Sequence, residues 1–233
     1  MGTGSKSIDE QLRNAIRGSD YALVQQLLDD GGALGWRDQN GISTLHIAAE
    51  RAEQKMLEFV LSRPEADVSI TDDDGQTPMH YAARASRVDN METLKSKGAL
   101  IDAAALDGRT PLMMAAHRDH VAAVDWLLVN KAAPDKQDNQ MRTAMHYAVS
   151  RKYLKSTIAL VKGGADATIP DKNGVSAVSL ATIMDGGGSV AGEFNVSQFL
   201  NAIEVQKDIR HGTTRSLHAP RTAKFSRKPQ QQS

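Results

Sequence analysis

Apolar residues run along this chain in short bursts that come in pairs. From Thr110 the sequence reads TPLMMAAH, breaks at a few polar residues, resumes as VAAVDWLLV from Val121 to Val129, and ends in the polar NKAAPDKQ. Bursts of this length, rich in Ala, Leu and Met, predict two short helices joined by a turn rather than strands. The same arrangement returns along the chain. The segments GISTLHIAAE from Gly41, GQTPMHYAAR from Gly75, GRTPLMMAAH from Gly108, MRTAMHYAVS from Met141 and GVSAVSLATI from Gly174 begin 34, 33, 33 and 33 residues apart. A period on that scale signals a repeat solenoid, in which each unit buries its apolar surface only against its neighbours.

Turn chemistry precedes each copy. DQNG, DDDG, ALDG, DNQM and DKNG supply the Asp, Asn and Gly that suit a tight turn and a positive φ. A Ser or Thr can then cap the first helix, and Pro78 and Pro111 take its first position, where a missing amide donor costs nothing. The paired alanines Ala48–Ala49, Ala82–Ala83 and Ala115–Ala116 leave little bulk between helices, as close stacking requires. This arrangement resembles the ankyrin repeat, whose pattern runs roughly D-x-x-G-x-T-P-L-H-x-A-A. The match is strongest at Asp72–Ala83 and Asp107–Ala116 and extends over residues 38–200. The resemblance implies an all-α solenoid of stacked helix-turn-helix units with β-hairpin-like loops. Met113 departs from the pattern's histidine, Met141 from its turn glycine, and Thr44, Ala144 and Ala177 from its proline. A left-handed residue other than glycine costs about 1 kcal/mol, so the fourth hairpin is expected to adopt an altered turn.

Terminal units of a solenoid must differ from the middle ones. A cap over 8–34, with helices at Asp9–Arg17 and Tyr21–Leu28, is expected to close the N-terminal end, ahead of repeats over 38–71, 72–104, 105–137, 138–170 and 171–206. In the last, MDGGGSVAG stretches the break between helices. EFNVSQFLNAIEVQ supplies a closing helix with Phe194, Phe199, Leu200 and Ile203 as buried candidates. Residues 1–7 read as a disordered N-terminus, and the basic, Pro-containing 207–233 as a flexible tail.

Composition narrows the function classes. The 28 basic and 28 acidic side chains cancel, which removes global steering toward nucleic acid or membrane. With no cysteine, disulfides, thiol catalysis and cysteine zinc sites are excluded. No stretch approaches ~18 consecutive apolar residues, so no membrane insertion is expected. Residues 1–10 show no signal-peptide core, which makes a cytoplasmic or nuclear location the expectation.

His46, His80 and His146 recur at one repeat position. Stacked helices lie roughly 10 Å apart, too far for bonds of about 2 Å to one metal ion. The resemblance implies instead that these rings hydrogen-bond neighbouring hairpins. Gly186–Gly188 lacks the lysine and strand of a phosphate loop. Asp72–Asp74 lacks the spaced ligands of a calcium loop and reads as a hairpin tip, Asp72 serving the turn and Asp73 and Asp74 exposed. No Ser, His and Asp constellation assembles, and neither a catalytic activity nor a metal or other cofactor is expected.

The resemblance implies that hairpin tips and the exposed side of the first helices form a concave binding face. Its candidate contacts are Trp36, Ile42, Arg51, Asp73, Asp74, Arg84, Leu106, Arg109, His117, Arg118, Arg142 and Arg151. Trp36 either packs under the N-terminal cap or stands exposed. Trp126 reads as core, and Tyr81 and Tyr147 as partly buried against the next repeat. Acidic groups, Glu50, Asp73 and Asp74, fall in the first half, and arginines dominate the rest. Either these charges simply solvate the surface, or the arginine-rich half receives an acidic or phosphorylated segment, to which the guanidinium fork is suited. The expected function is a non-catalytic protein-binding scaffold or adaptor, monomeric by itself. The alternative is a targeting or regulatory protein whose basic tail mediates nuclear import or binds an acidic surface. Phe225 alone in that tail gives no stacking platform for nucleic acid.

Overall fold

The first helix begins where its free amides find an acceptor: the Ser7 hydroxyl accepts from the Glu10 amide at 3.2 Å. Ser7 is therefore the cap of a helix, not part of a disordered N-terminus. The computed structural model describes residues 7–184, 196 and 198–200. Helices α1 (Ile8–Arg17) and α2 (Tyr21–Asp29) form the N-terminal pair. The pairs α3 (Thr44–Arg51) with α4 (Gln54–Leu61), α5 (Pro78–Arg84) with α6 (Val88–Ser96), α7 (Pro111–Ala116) with α8 (Val121–Val129), and α9 (Ala144–Ser150) with α10 (Leu154–Lys162) follow, and then α11 (Ala177–Met184). First helices stack on first helices and second on second, so the array is a mostly helical solenoid. Among the described residues no sheet forms; two isolated antiparallel bridges, Arg37 with Ser43 and Pro170 with Ser176, mark hairpin-like loops.

The core runs unbroken through the stack because each pair contributes one layer. Leu12 and Ile16, then Met56 and Leu57, Met79, Met91 and Leu94, Leu112, Met113 and Leu127, and Met145 and Leu160 are its fully buried large side chains. The three alanine pairs have no exposed surface at all, which lets neighbouring first helices approach closely. Val196 and Leu200 are buried and Phe199 packs on the core, whereas Phe194, Ile203 and the tail 207–233 lie outside the described residues. Trp126 is only half-buried rather than core: its indole N–H donates to the Glu92 carboxylate at 3.0 Å. An indole needs such an acceptor and finds it at the surface.

Polar bonds also cross between repeats. Asn90, 2% exposed, stands among apolar positions, and its amide donates to the carbonyls of Ala48, Ala49 and Ala52. Those carbonyls end α3, whose C-cap Ala52 is extended and donates its own amide to Ala48, so Asn90 supplies the Ala49 and Ala52 carbonyls and shares that of Ala48.

The fourth hairpin does not adopt an altered turn. Met141 holds φ at 58°, beside 72°, 75°, 82° and 77° for Gly41, Gly75, Gly108 and Gly174, and its amide donates to the Asp138 carbonyl at 2.8 Å as the glycines donate at theirs. The Asp138 carboxylate fixes the loop by accepting from Gln140 and Arg142 amides, which outweighs the local cost. Met141→Gly is expected to raise the unfolding free energy by about 0.5–1 kcal/mol, seen as a higher urea midpoint at unchanged slope. An unchanged midpoint would mean that the turn carries no strain.

Candidate protein-interaction face

Four of the five hairpins are built from their own first residue. The carboxylates of Asp38, Asp72, Asp138 and Asp171 accept from the amides two and four residues on, at 2.8–3.0 Å. Successive tips are tied by backbone: the carbonyls of Asn40, Asp74, Asp107 and Gln140 accept from the amides of Asp73, Leu106, Asn139 and Lys172. A Cβ on Gly41, Gly75 or Gly108 would fall within 3 Å of the following tip, so close approach and positive φ both require glycine there.

The recurrent histidines tie hairpin to hairpin as well. Nδ1 of His46, His80 and His146 accepts from the backbone amides of Ser43, Thr77 and Thr143, so Nε2 carries the hydrogen and donates to the carbonyls of Gln76, Arg109 and Val175 at 2.9–3.0 Å. Acceptance at Nδ1 requires the neutral ring, whereas donation from Nε2 does not. Burial pushes His80 down to about 4 against the opposing pull of the Arg109 carbonyl and Asp72, and burial lowers His46 in the same way. Met113 removes this bond between the third and fourth hairpins.

Charge then separates two neighbourhoods. In the first, Glu50 accepts from Arg84 at 2.8 Å and Arg51 at 3.0 Å, and Arg84 lies over the Tyr81 ring. Burial opposes ionisation of Glu50, but these guanidiniums overcome it and hold the carboxyl below its usual range. In the second, Arg109 pairs with Asp107 and Arg142 with Asp138. Asp138, 5% exposed, also accepts the Tyr147 hydroxyl at 2.6 Å. Burial works against the charged form of Asp138, yet the Tyr147 hydroxyl, the Arg142 amide and guanidinium and the Gln140 amide keep the carboxyl low. The Tyr147 ring supports Arg142 at 4.8 Å and stacks with His117 at 5.4 Å. Arg151 reaches His117 Nε2 at 2.7 Å, and Arg118 is exposed with no partner side chain among the described residues.

The candidate contacts thus divide. Arg109, His117, Arg118, Arg142 and Arg151 come together where the third and fourth units meet, whereas Arg51 and Arg84 gather on Glu50. Asp73 and Asp74 are exposed, as is Leu106 at 73%. Ile42 is half-buried against the core, and Trp36 is half-buried beneath the Arg13 guanidinium at 5.5 Å, packed on the cap. Arg13, which also bonds Asp38 at 3.2 Å, was not among the candidates, nor was Asp138. Aligning the copies would have pointed to Asp138. One column reads Asp38, Asp72, Ala105, Asp138, Asp171 and another Ile47, Tyr81, Met114, Tyr147, Leu180, so tyrosine appears only where aspartate does.

Among the described residues no helix is long and apolar enough to cross a membrane, and no group of three or more His, Asp or Glu could hold a metal ion. A family profile described as ankyrin repeats (3 copies) matches residues 12–105 and 100–171. Of the similar proteins, the E3 ubiquitin-protein ligase KEG of Arabidopsis thaliana is 28% identical over 164 residues, 70% of this chain and 10% of that protein. Neurogenic locus notch homolog protein 1 of Danio rerio is 29% identical over 55% of this chain and 5% of its own length. The nuclear factor NF-kappa-B p105 subunit of Gallus gallus is 27% identical over 66% of this chain and 16% of its own. The chain therefore spans a small fraction of these relatives.

Proposed function

Because the chain belongs to the ankyrin-repeat family, a non-catalytic scaffolding fold for protein–protein interaction, we propose that it holds its partner on the arginine-rich half of the face, against an acidic or phosphorylated segment. One observation carries this reading: Arg118 and Arg151 are exposed and reach no carboxylate among the described residues, whereas Arg51 and Arg84 share the carboxylate of Glu50. Exposed charge of one sign, next to hairpin tips tied to one another by backbone bonds, gives a surface for the opposite charge.

The test compares partner capture from cell extract by three immobilised proteins of equal helicity and melting: the wild type, Arg118→Glu with Arg151→Glu, and the chain lacking residues 207–233. Charge-assisted hydrogen bonds contribute about 1.5–3 kcal/mol each, so the double variant is expected to retain less than about a tenth of the partner. Full retention would move the interface elsewhere on the array. Loss confined to the truncated chain would assign the function to the tail.

A further inference from the structure

Two positive charges are left over where the third and fourth units meet. Asp107 and Asp138 are committed to Arg109 and Arg142, and no carboxylate answers Arg118 or Arg151 among the described residues. Arg151 instead points an N–H at Nε2 of His117. A guanidinium has only donors to offer, so that nitrogen must carry a lone pair and the ring is neutral. Of the other charged groups nearby, Asp119 keeps its negative charge but is turned to the Ser156 amide and hydroxyl, and Arg84 on the adjoining first helix is turned to Glu50. His120 holds the N-cap position of α8 without a side-chain cap bond. The Tyr147 ring, buried and anchored through its hydroxyl on Asp138, is a rigid floor for His117 and Arg142.

We propose that Arg109, Arg118, Arg142 and Arg151 together receive one phosphate group on a phosphorylated segment of the partner, and that His117 takes a proton from solvent as Arg151 turns from its ring to the phosphate. This rests on the reading of the arginine-rich half as the partner face. A phosphorylated side chain brings about −1.5 to −2 of charge and three acceptor oxygens, matching a surplus of two guanidiniums; a single carboxylate would leave one unanswered. The coupling has a definite sign. Burial and then the guanidiniums of Arg151, Arg109, Arg118 and Arg142 hold His117 below its ordinary value. A bound dianion offsets the guanidiniums and raises it, so binding takes up protons. Affinity then rises as pH falls from the bound midpoint toward the lower free one, and protonation of the phosphate near pH ~6 works against that rise.

The experiment follows the His117 Cε1–H resonance, assigned with His117→Gln, through pH titrations of the full chain at constant ionic strength. The probes are a glycine–alanine peptide with one phosphoserine, its unphosphorylated twin, and inorganic phosphate. The phosphopeptide is expected to raise the His117 midpoint by roughly one unit, inorganic phosphate to do so at higher concentration, and the twin to leave it unmoved. In Arg118→Gln with Arg151→Gln, both exposed, the rise disappears and phosphopeptide affinity falls at least about tenfold. An equal rise with the twin or with chloride, or one that survives in the double variant, overturns the proposal. A response to inorganic phosphate with none to the phosphopeptide also overturns it, because the site then takes a free anion. Loss of partner in the charge-reversed protein without any phosphopeptide response would leave the partner face standing and the phosphate reading refuted.

Discussion

Acidification from pH 7 to pH 5 is expected to remove about 2 kcal/mol of unfolding free energy through His80 alone. The ring titrates at about 4 when folded and near its ordinary 6.5 when unfolded. The unfolded chain therefore takes up the proton first. His80's contribution is complete above pH 6.5 and is lost progressively as the pH falls to about 4, reaching about 3 kcal/mol at the end of that range. The structural reason is that a protonated ring would set an N–H against the Thr77 amide while buried with no exposed surface. His46, lowered for the same reason, adds to the loss. Urea unfolding at pH 7 and pH 5 measures it in a window above the titration of the paired carboxylates. His80→Gln keeps an acceptor for Thr77 but not the bond to Arg109; it is expected to be less stable at pH 7 and to show about 2 kcal/mol less dependence on pH. An unaltered pH slope in that variant would show that His80 is not the group responsible.

Asp138→Ala is expected to cost about 3–4 kcal/mol at neutral pH. The carboxylate serves two backbone amides, the Tyr147 hydroxyl and Arg142. Removing it leaves the phenol buried without an acceptor, and unsatisfied groups of this kind cost about 1–3 kcal/mol each. Arg142 is 42% exposed and falls back to water, so its share is small. Asp138→Asn retains an acceptor for the amides and is expected to lose about half as much. The third unit shows the compensated form, Ala105 with Met114, in which neither the carboxylate nor the phenol is present. Asp138→Ala with Tyr147→Met should therefore be more stable than the two single losses added together, by about 1–2 kcal/mol in a double-mutant cycle. Strict additivity would refute the idea that the two columns depend on one another.

The repeat register was readable because it is local: turn aspartates, capping hydroxyls, alanine pairs and the second helix at Val121–Val129 each lie within one unit. The histidine bonds were readable by resemblance. What escaped depended on distances across the period. Arg84 turns back to Glu50, 34 positions away, rather than outward, and Asn90 reaches carbonyls some 40 positions before it. Trp126 reads as core by its apolar neighbours but is drawn to Glu92 at the surface. Met141 was misread in the other direction, because a propensity cost of about 1 kcal/mol is smaller than what the Asp138 carboxylate contributes to the same turn. Among the arginines where the third and fourth units meet, sequence showed the crowding but not that Arg118 and Arg151 lack a carboxylate.

The gap left by Met113 falls at the same seam as the arginines. Every other described pair of hairpins shares a histidine bond, and this pair does not, so the array has one joint with a missing staple. Arg109 and Arg118 belong to one side of that joint and Arg142 and Arg151 to the other. Any anion gripped by both sides acts as a splint across it. Occupancy would then be felt as stiffness, with amide exchange slowing first in the units flanking the splint, so that the joint without a histidine bond is also where the protein can register that its partner has arrived.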